Sequence, residues 1–148
     1  MSRRLGKAIA LTAWAFRDDV DKGGEAYIMH CIRVMMRLRS DLDCLNIPAI
    51  CHDLIEDHPE LKGDIEKLEL TQGELYTLDC LTHREGESYE DYIERICTDK
   101  WAIMIKISDL RDNSDILRLK GVRKKDLLRI EKYHCAYLRL EEALKSYE

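Results

Sequence analysis

The sequence predicts an all-α fold built as a single domain over residues 1–148. Three observations carry this. Two prolines, Pro48 and Pro59, and seven glycines are too few for the repeated turns of an all-β chain. Apolar residues make up 45% of the chain and charged residues 36%, the balance of amphipathic helices around one core rather than of a disordered polypeptide. Where periodicity is clear, it is helical: Tyr27, Cys31, Val34, Met35 and Leu38 follow the i, i+4, i+7, i+8, i+11 spacing of one stripe. There is no internal repeat, low-complexity tract or linker to mark a second domain.

The elements follow in order. Residues 3 to 17 read as a first helix with Leu5, Ile9, Trp14 and Phe16 among its apolar positions. Asp18 to Gly24 breaks the pattern with paired glycines, and a second helix begins near Glu25. Asn46 is the expected N-cap of a third helix, with Pro48 in its first turn, running to His58-Pro59. A short helix and loop are expected over 60–70 and a helix over Gln72–Leu81. Ser88 caps Tyr89–Cys97, with Asp91 three residues on as in a capping box. Trp101 to Ile107 is the most apolar run and fits a buried strand or a buried helix; if helical, it puts Lys106, Asp109 and Asn113 on one face. A long amphipathic helix over 124–147 closes the chain.

The net charge of −5 and pI near 5.6 exclude a general nucleic-acid binder, which presents a basic field. Met1-Ser2-Arg3-Arg4 leads into a stretch too short and too polar to export the chain or anchor it in a membrane. None of the six cysteines forms a C-x-x-C pair, and most lie in apolar helical context, where free thiols behave as small hydrophobes. A reducing, cytoplasmic setting is the expectation. The sequence assigns no oligomeric state.

The chemistry concentrates in Ile50-Cys51-His52-Asp53-Leu54-Ile55-Glu56-Asp57, which on a continuous helix would place His52 and Asp53 beside Glu56, and Asp53 beside Asp57. His30 lies inside the apolar stripe of the second helix, and Asp109 follows the apolar run. Two imidazoles and two carboxylates form a mixed N/O donor set that suits Mn²⁺ or Fe and accepts Zn²⁺; without a thiolate nothing demands zinc. A buried carboxylate is costly unless paired or metal-bound, which favours treating the four as one set.

The pattern H, then H-D-x-x-E-D, then K-x-x-D-x-x-x-N resembles the HD superfamily of metal-dependent phosphohydrolases. More narrowly it resembles the (p)ppGpp (alarmone) hydrolase domain of RelA/SpoT proteins and their small stand-alone relatives. The matching stretches are Lys22 to His30, His52 to Asp57 and Lys106 to Asn113. The resemblance implies a helical HD-domain bundle in which His30, His52, Asp53 and Asp109 hold Mn²⁺, with Fe, Zn²⁺ or Mg²⁺ as other divalent occupants. It implies that Glu56 and Asp57 serve catalysis, that Asn113 faces a nucleotide, and that Lys106 stabilises the site or its phosphates. The implied reaction removes the 3′-pyrophosphate of (p)ppGpp. Arg17, Lys22 and Arg84 are the candidate cations for the remaining phosphates.

The sequence departs from the family pattern at Phe16, where a His is usual, at Ala26 in place of Pro, and at His58 in place of Thr. Its first loop, Arg17-Asp18-Asp19-Val20-Asp21, is mostly acidic rather than basic and is expected to repel a polyphosphate. Two alternatives therefore stand beside the alarmone reading: a phosphohydrolase for another nucleotide or phosphorylated cofactor, and a non-catalytic nucleotide-sensing domain. Glu56 and Asp57 together, beside a full ligand set, argue against the last.

Overall fold

The computed structural model describes residues 2–148, and helices dominate them; the only strand-like pairing among these residues is an isolated antiparallel bridge between Val20 and Ala26. Helix α1 (Arg3–Ala15) starts at Ser2, whose Oγ accepts the Leu5 N–H at 3.1 Å. It buries Leu5, Ala8, Thr12 and Ala15, while Trp14 faces solvent under the Arg17 guanidinium. The inward stripe of α1 is thus made of smaller residues than the sequence suggested, and Phe16 enters the core from just past the helix end.

Helix α2 (Ile28–Arg37) begins three residues later than expected, because Glu25 to Tyr27 belong to the closed first loop. It buries His30, Cys31, Val34 and Met35, while Tyr27 and Leu38, the two ends of the expected stripe, flank the helix half-buried against the core. Helix α3 (Asp43–Cys51) is the centre of the molecule: Leu45 through Cys51 are all buried, and it packs on α1, α2, α6 and α8. Such a helix has no solvated face to advertise its period, and it starts at Asp43 rather than after Asn46. Asn46 is not its N-cap; it lies inside the helix and donates from Nδ2 to the Ser40 carbonyl at 2.7 Å. Pro48 is likewise mid-helix, where it forgoes an N–H bond to the Cys44 carbonyl.

The chain leaves helical hydrogen bonding at His52-Asp53 and resumes it in a single turn, α4 (Leu54–Asp57). The central motif therefore sits on a helix break rather than on one continuous helix. A 3₁₀ turn (Pro59–Leu61) and α5 (Lys62–Glu66) lead to α6 (Gln72–Leu81), whose Thr71–Glu74 capping box is complete. Ser88 Oγ caps α7 (Tyr89–Ile96) by accepting the Asp91 N–H at 3.0 Å. The apolar run resolves as helix: α8 (Lys100–Asn113) starts at Asp99, which caps Ala102. Helix α9 (Lys124–Leu144) packs along α8 and α7 and ends in a 3₁₀ turn, Lys145–Tyr147. All six cysteines are free. No helix of the described residues is long and apolar enough to cross a membrane.

Candidate metal centre

Two helices and one helix break bring the motif residues together. His30 comes from α2, His52 and Asp53 from the α3–α4 break, and Asp109 from α8. His30 Nε2 lies 3.2 Å from Asp109 Oδ1 and 3.5 Å from Asp53 Oδ2; His52 Nε2 lies 3.0 Å from Asp53 Oδ2 and 3.6 Å from Asp109 Oδ1. The two ring nitrogens are buried and make no hydrogen bond, although carboxylate oxygens surround them. Donor atoms of His30, His52 and Asp109 all fall within 4.8 Å of one another. Lone-pair donors converging on one point, with their protons unaccounted for, fit a divalent cation.

Neighbouring groups hold all four residues in place. His52 Nδ1 donates to the Ala49 carbonyl at 2.8 Å, which leaves Nε2 as the free donor. Tyr27 Oη donates to Asp53 Oδ2 at 2.7 Å. Asp109 accepts from Lys106 Nζ at 2.9 Å and Asn113 Nδ2 at 2.6 Å. Lys106 and Asn113 do share one face of α8 as the spacing predicted, and both are engaged with Asp109. His30 Nδ1 lies 2.7 Å from Asp112 Oδ2.

The charges reinforce one another. Burial works against ionising Asp109, but Lys106 and the two histidines hold its carboxyl well below the usual range. Burial likewise opposes charge on His30, yet the surrounding carboxylates of Asp109, Asp112 and Asp53 push it up to about 11. His52 is pushed up to about 10 in the same way. A centre that draws protons this strongly draws metal cations too.

Glu56 and Asp57 are exposed at the rim. Glu56 Oε1 accepts the His83 N–H, which ties α4 to the turn after α6. Asp57 is raised to about 6 by partial burial and by the neighbouring Asp53 and Glu56 carboxylates. A cavity of about 280 Å³ opens on the His52–Asp53 side, between Glu56, His83, Lys106 and Lys132. A second, of about 320 Å³, opens on the His30 side, between Tyr27, Lys22, Asn113, Arg118 and Arg129; Tyr133 lines both.

Of the candidate cations, Lys22 reaches a cavity wall. Arg84 pairs with Asp79 at 2.8 Å on the surface, and Arg17 lies over Trp14 and pairs with Asp18 at 3.3 Å. Sequence reasoning passed over Tyr27, Asp112, Arg118, Arg129 and Tyr133. Asp112 had a signal, since it sits three residues after Asp109 on the same helix face; Arg118, Arg129 and Tyr133 had none.

The first loop also differs from expectation. Asp21 Oδ1 accepts the Gly23 and Glu25 N–H groups at 2.8 and 3.0 Å, and its Oδ2 takes Arg118 at 3.1 Å. Asp19 lies 2.9 Å from His58 Nε2, and His58 in turn packs edge-on against Phe16, their centroids 4.7 Å apart. Gly23 is required here: a Cβ would meet the Arg118 carbonyl at 2.6 Å. The acidic residues thus close the loop on itself, and Asp21 is nearly covered rather than aimed at solvent.

Comparison with known proteins gives first the class. A solved structure described as a metazoan ortholog of SpoT that hydrolyzes ppGpp and plays a role in starvation responses matches with a TM-score of 0.78, over 99% of this chain and 94% of that one, at 19% identity. The chain shares the all-α fold of that structure. In sequence it is 30% identical over 125 residues, 75% of its length, to the bifunctional (p)ppGpp synthase/hydrolase SpoT of Escherichia coli K12. The same figures hold for the guanosine-3′,5′-bis(diphosphate) 3′-pyrophosphohydrolase of Shigella flexneri. The chain is thus similar in sequence to a segment of SpoT-type proteins and spans 18% of the length of these curated relatives. No protein-family model matches it.

Proposed function

We propose that the chain is a Mn²⁺-dependent phosphohydrolase that removes the 3′-pyrophosphate of guanosine polyphosphates, acting as one helical unit in the cytoplasm. The observation that carries this is the pair of buried, unpartnered Nε2 atoms of His30 and His52 facing the Asp53 and Asp109 carboxylates, beside two open cavities. Two nitrogens and two carboxylates suit Mn²⁺ among divalent ions. The relatives' names, a (p)ppGpp hydrolase and a 3′-pyrophosphohydrolase, support the substrate.

A bound divalent cation lowers the pKa of a coordinated water and polarises a phosphoryl oxygen. The protein's own groups do the rest. Glu56 or Asp57 orients the attacking water and takes its proton; Asp57, raised to about 6, is suited to hold that proton transiently. Water oxygen bonds to the phosphorus next to the ribose, the phosphorus–O3′ bond breaks, and pyrophosphate formation leaves the 3′-oxygen to take a proton. Lys106 and Asn113 serve by fixing Asp109. Lys22, Arg118 and Arg129 line the second cavity and are its groups for a nucleotide's other phosphates, with Arg118 held in place by Asp21 and Asp112 and Arg129 by Asp126.

The test is pyrophosphate and phosphate release from ppGpp, pppGpp, GTP and NADPH, with Mn²⁺ and with EDTA. Mn²⁺-dependent pyrophosphate release confined to ppGpp and pppGpp is expected. Turnover of the other phosphates alone overturns the substrate, and silence with metal bound overturns the enzyme.

A further inference from the structure

We propose that Asp112 is a positioning residue for the metal centre: it grips His30 through Nδ1, and Arg33, Arg37 and Arg118 grip Asp112 in turn. This rests on reading His30 as a ligand.

Asp112 is 1% exposed, and its Oδ2 stands 2.7 Å from His30 Nδ1. Accepting that N–H leaves Nε2 as the donor nitrogen and turns it toward Asp109 Oδ1, 3.2 Å away. Helix α8 thus holds the ring at both ends, since Asp109 and Asp112 lie three residues apart on one face. His52 has only a backbone carbonyl behind it, a weaker acceptor than a carboxylate.

A buried carboxylate needs one good partner. This one has three beyond the histidine. Arg33 meets it in bidentate geometry, Nε to Oδ1 at 2.8 Å and Nη2 to Oδ2 at 3.1 Å. Arg37 Nη2 adds a contact at 3.3 Å and Arg118 Nη1 another at 3.3 Å. These guanidiniums come from α2 and from the turn after α8, so they fix the carboxylate from two directions. Arg118 also holds Asp21 of the first loop and lines the cavity on the His30 side. One continuous network therefore joins the cavity wall and the first loop to the back of His30. A pair that merely tied α2 to α8 would not need its carboxylate aimed at the ring nitrogen opposite the cation's face.

The experiment is Mn²⁺ titration calorimetry on the purified full chain, with the Co²⁺ absorption spectrum as a geometric readout and thermal melting as a control. Asp112→Asn is expected to weaken Mn²⁺ binding about 10- to 100-fold and to alter the Co²⁺ bands. A folded Asp112→Asn protein that binds Mn²⁺ within twofold of the parent, with unchanged Co²⁺ bands, overturns the proposal even if its melting temperature falls. Should Asp112→Asn not fold, Arg33→Gln decides the matter: it keeps the carboxylate and removes its bidentate clamp. Weaker Mn²⁺ binding by several-fold supports positioning, and unchanged binding overturns it. Parent protein that binds no Mn²⁺ would remove the ligand reading itself, a failure distinct from loss of the positioning role alone.

Discussion

The metal centre and the first loop are both crowded with ionisable groups, and they treat them differently. At the centre, two buried imidazole nitrogens lie among carboxylates without a hydrogen bond. In the loop, Asp21 caps two backbone N–H groups and holds Arg118, and Asp19 holds His58. The centre is arranged for something that comes from outside; the loop's charges are answered within the protein. Charge counted along a sequence does not distinguish these cases, because what matters is whether a partner from elsewhere in the chain already occupies each group.

The sharpest way to break this contrast is at the centre. Asp53→Asn is expected to reduce bound metal to background and abolish turnover, since its carboxylate faces both histidines. Elemental analysis beside the rate assay checks it, and normal metal content with a normal rate would remove Asp53 from the ligand set. Glu56→Ala is expected to keep the metal and lose about a hundredfold or more in rate, the contribution of a general acid–base group. Parallel loss of metal and rate would move Glu56 onto the ion.

A smaller effect concerns protons. In the metal-free protein burial opposes charge on the two rings, yet the surrounding carboxylates raise His30 to about 11 and His52 to about 10, so a cation competes with protons for both. A ligand nitrogen must be neutral. Mn²⁺ affinity is therefore expected to rise with pH across the neutral range, with about one to two protons released per ion. Calorimetry in buffers of different ionisation enthalpy counts them. Binding with no proton release would mean the histidines are not ligands.

What the sequence made legible follows from the same distinction. His30, His52, Asp53 and Asp109 could be grouped by donor type and by the resemblance of their motifs to a known pattern; the structure brings donor atoms of His30, His52 and Asp109 within 4.8 Å of one another and sets Asp53 Oδ2 3.0 Å from His52 Nε2. The α8 stretch carrying Lys106, Asp109 and Asn113 was legible once helical. Two things were not. Helix α3 is buried all round, so its apolar residues have no period, and Asn46 looked like a cap when it is an interior residue bonded to Ser40. The loop's acidity looked repulsive because its answers, Arg118 and His58, lie 97 and 39 residues away from Asp21 and Asp19.

The loop itself supplies the finest test. If Asp21 repelled the substrate, Asp21→Asn would lower KM. The structure gives the opposite expectation. The carboxylate holds Arg118, which lines the cavity, and it also organises the Gly23–Glu25 turn beside Lys22. An amide keeps one acceptor for the turn but weakens the hold on Arg118, a charge-assisted contact. KM is therefore expected to rise a few-fold, with bound metal unchanged and stability lowered by about 1–3 kcal/mol. Asp18→Asn, at the exposed end of the loop, is expected to leave all three unaltered, because its one contact is a surface pair with Arg17. A fall in KM for either variant would restore repulsion as the loop's effect and would show that its internal pairing does not shield the approaching phosphates.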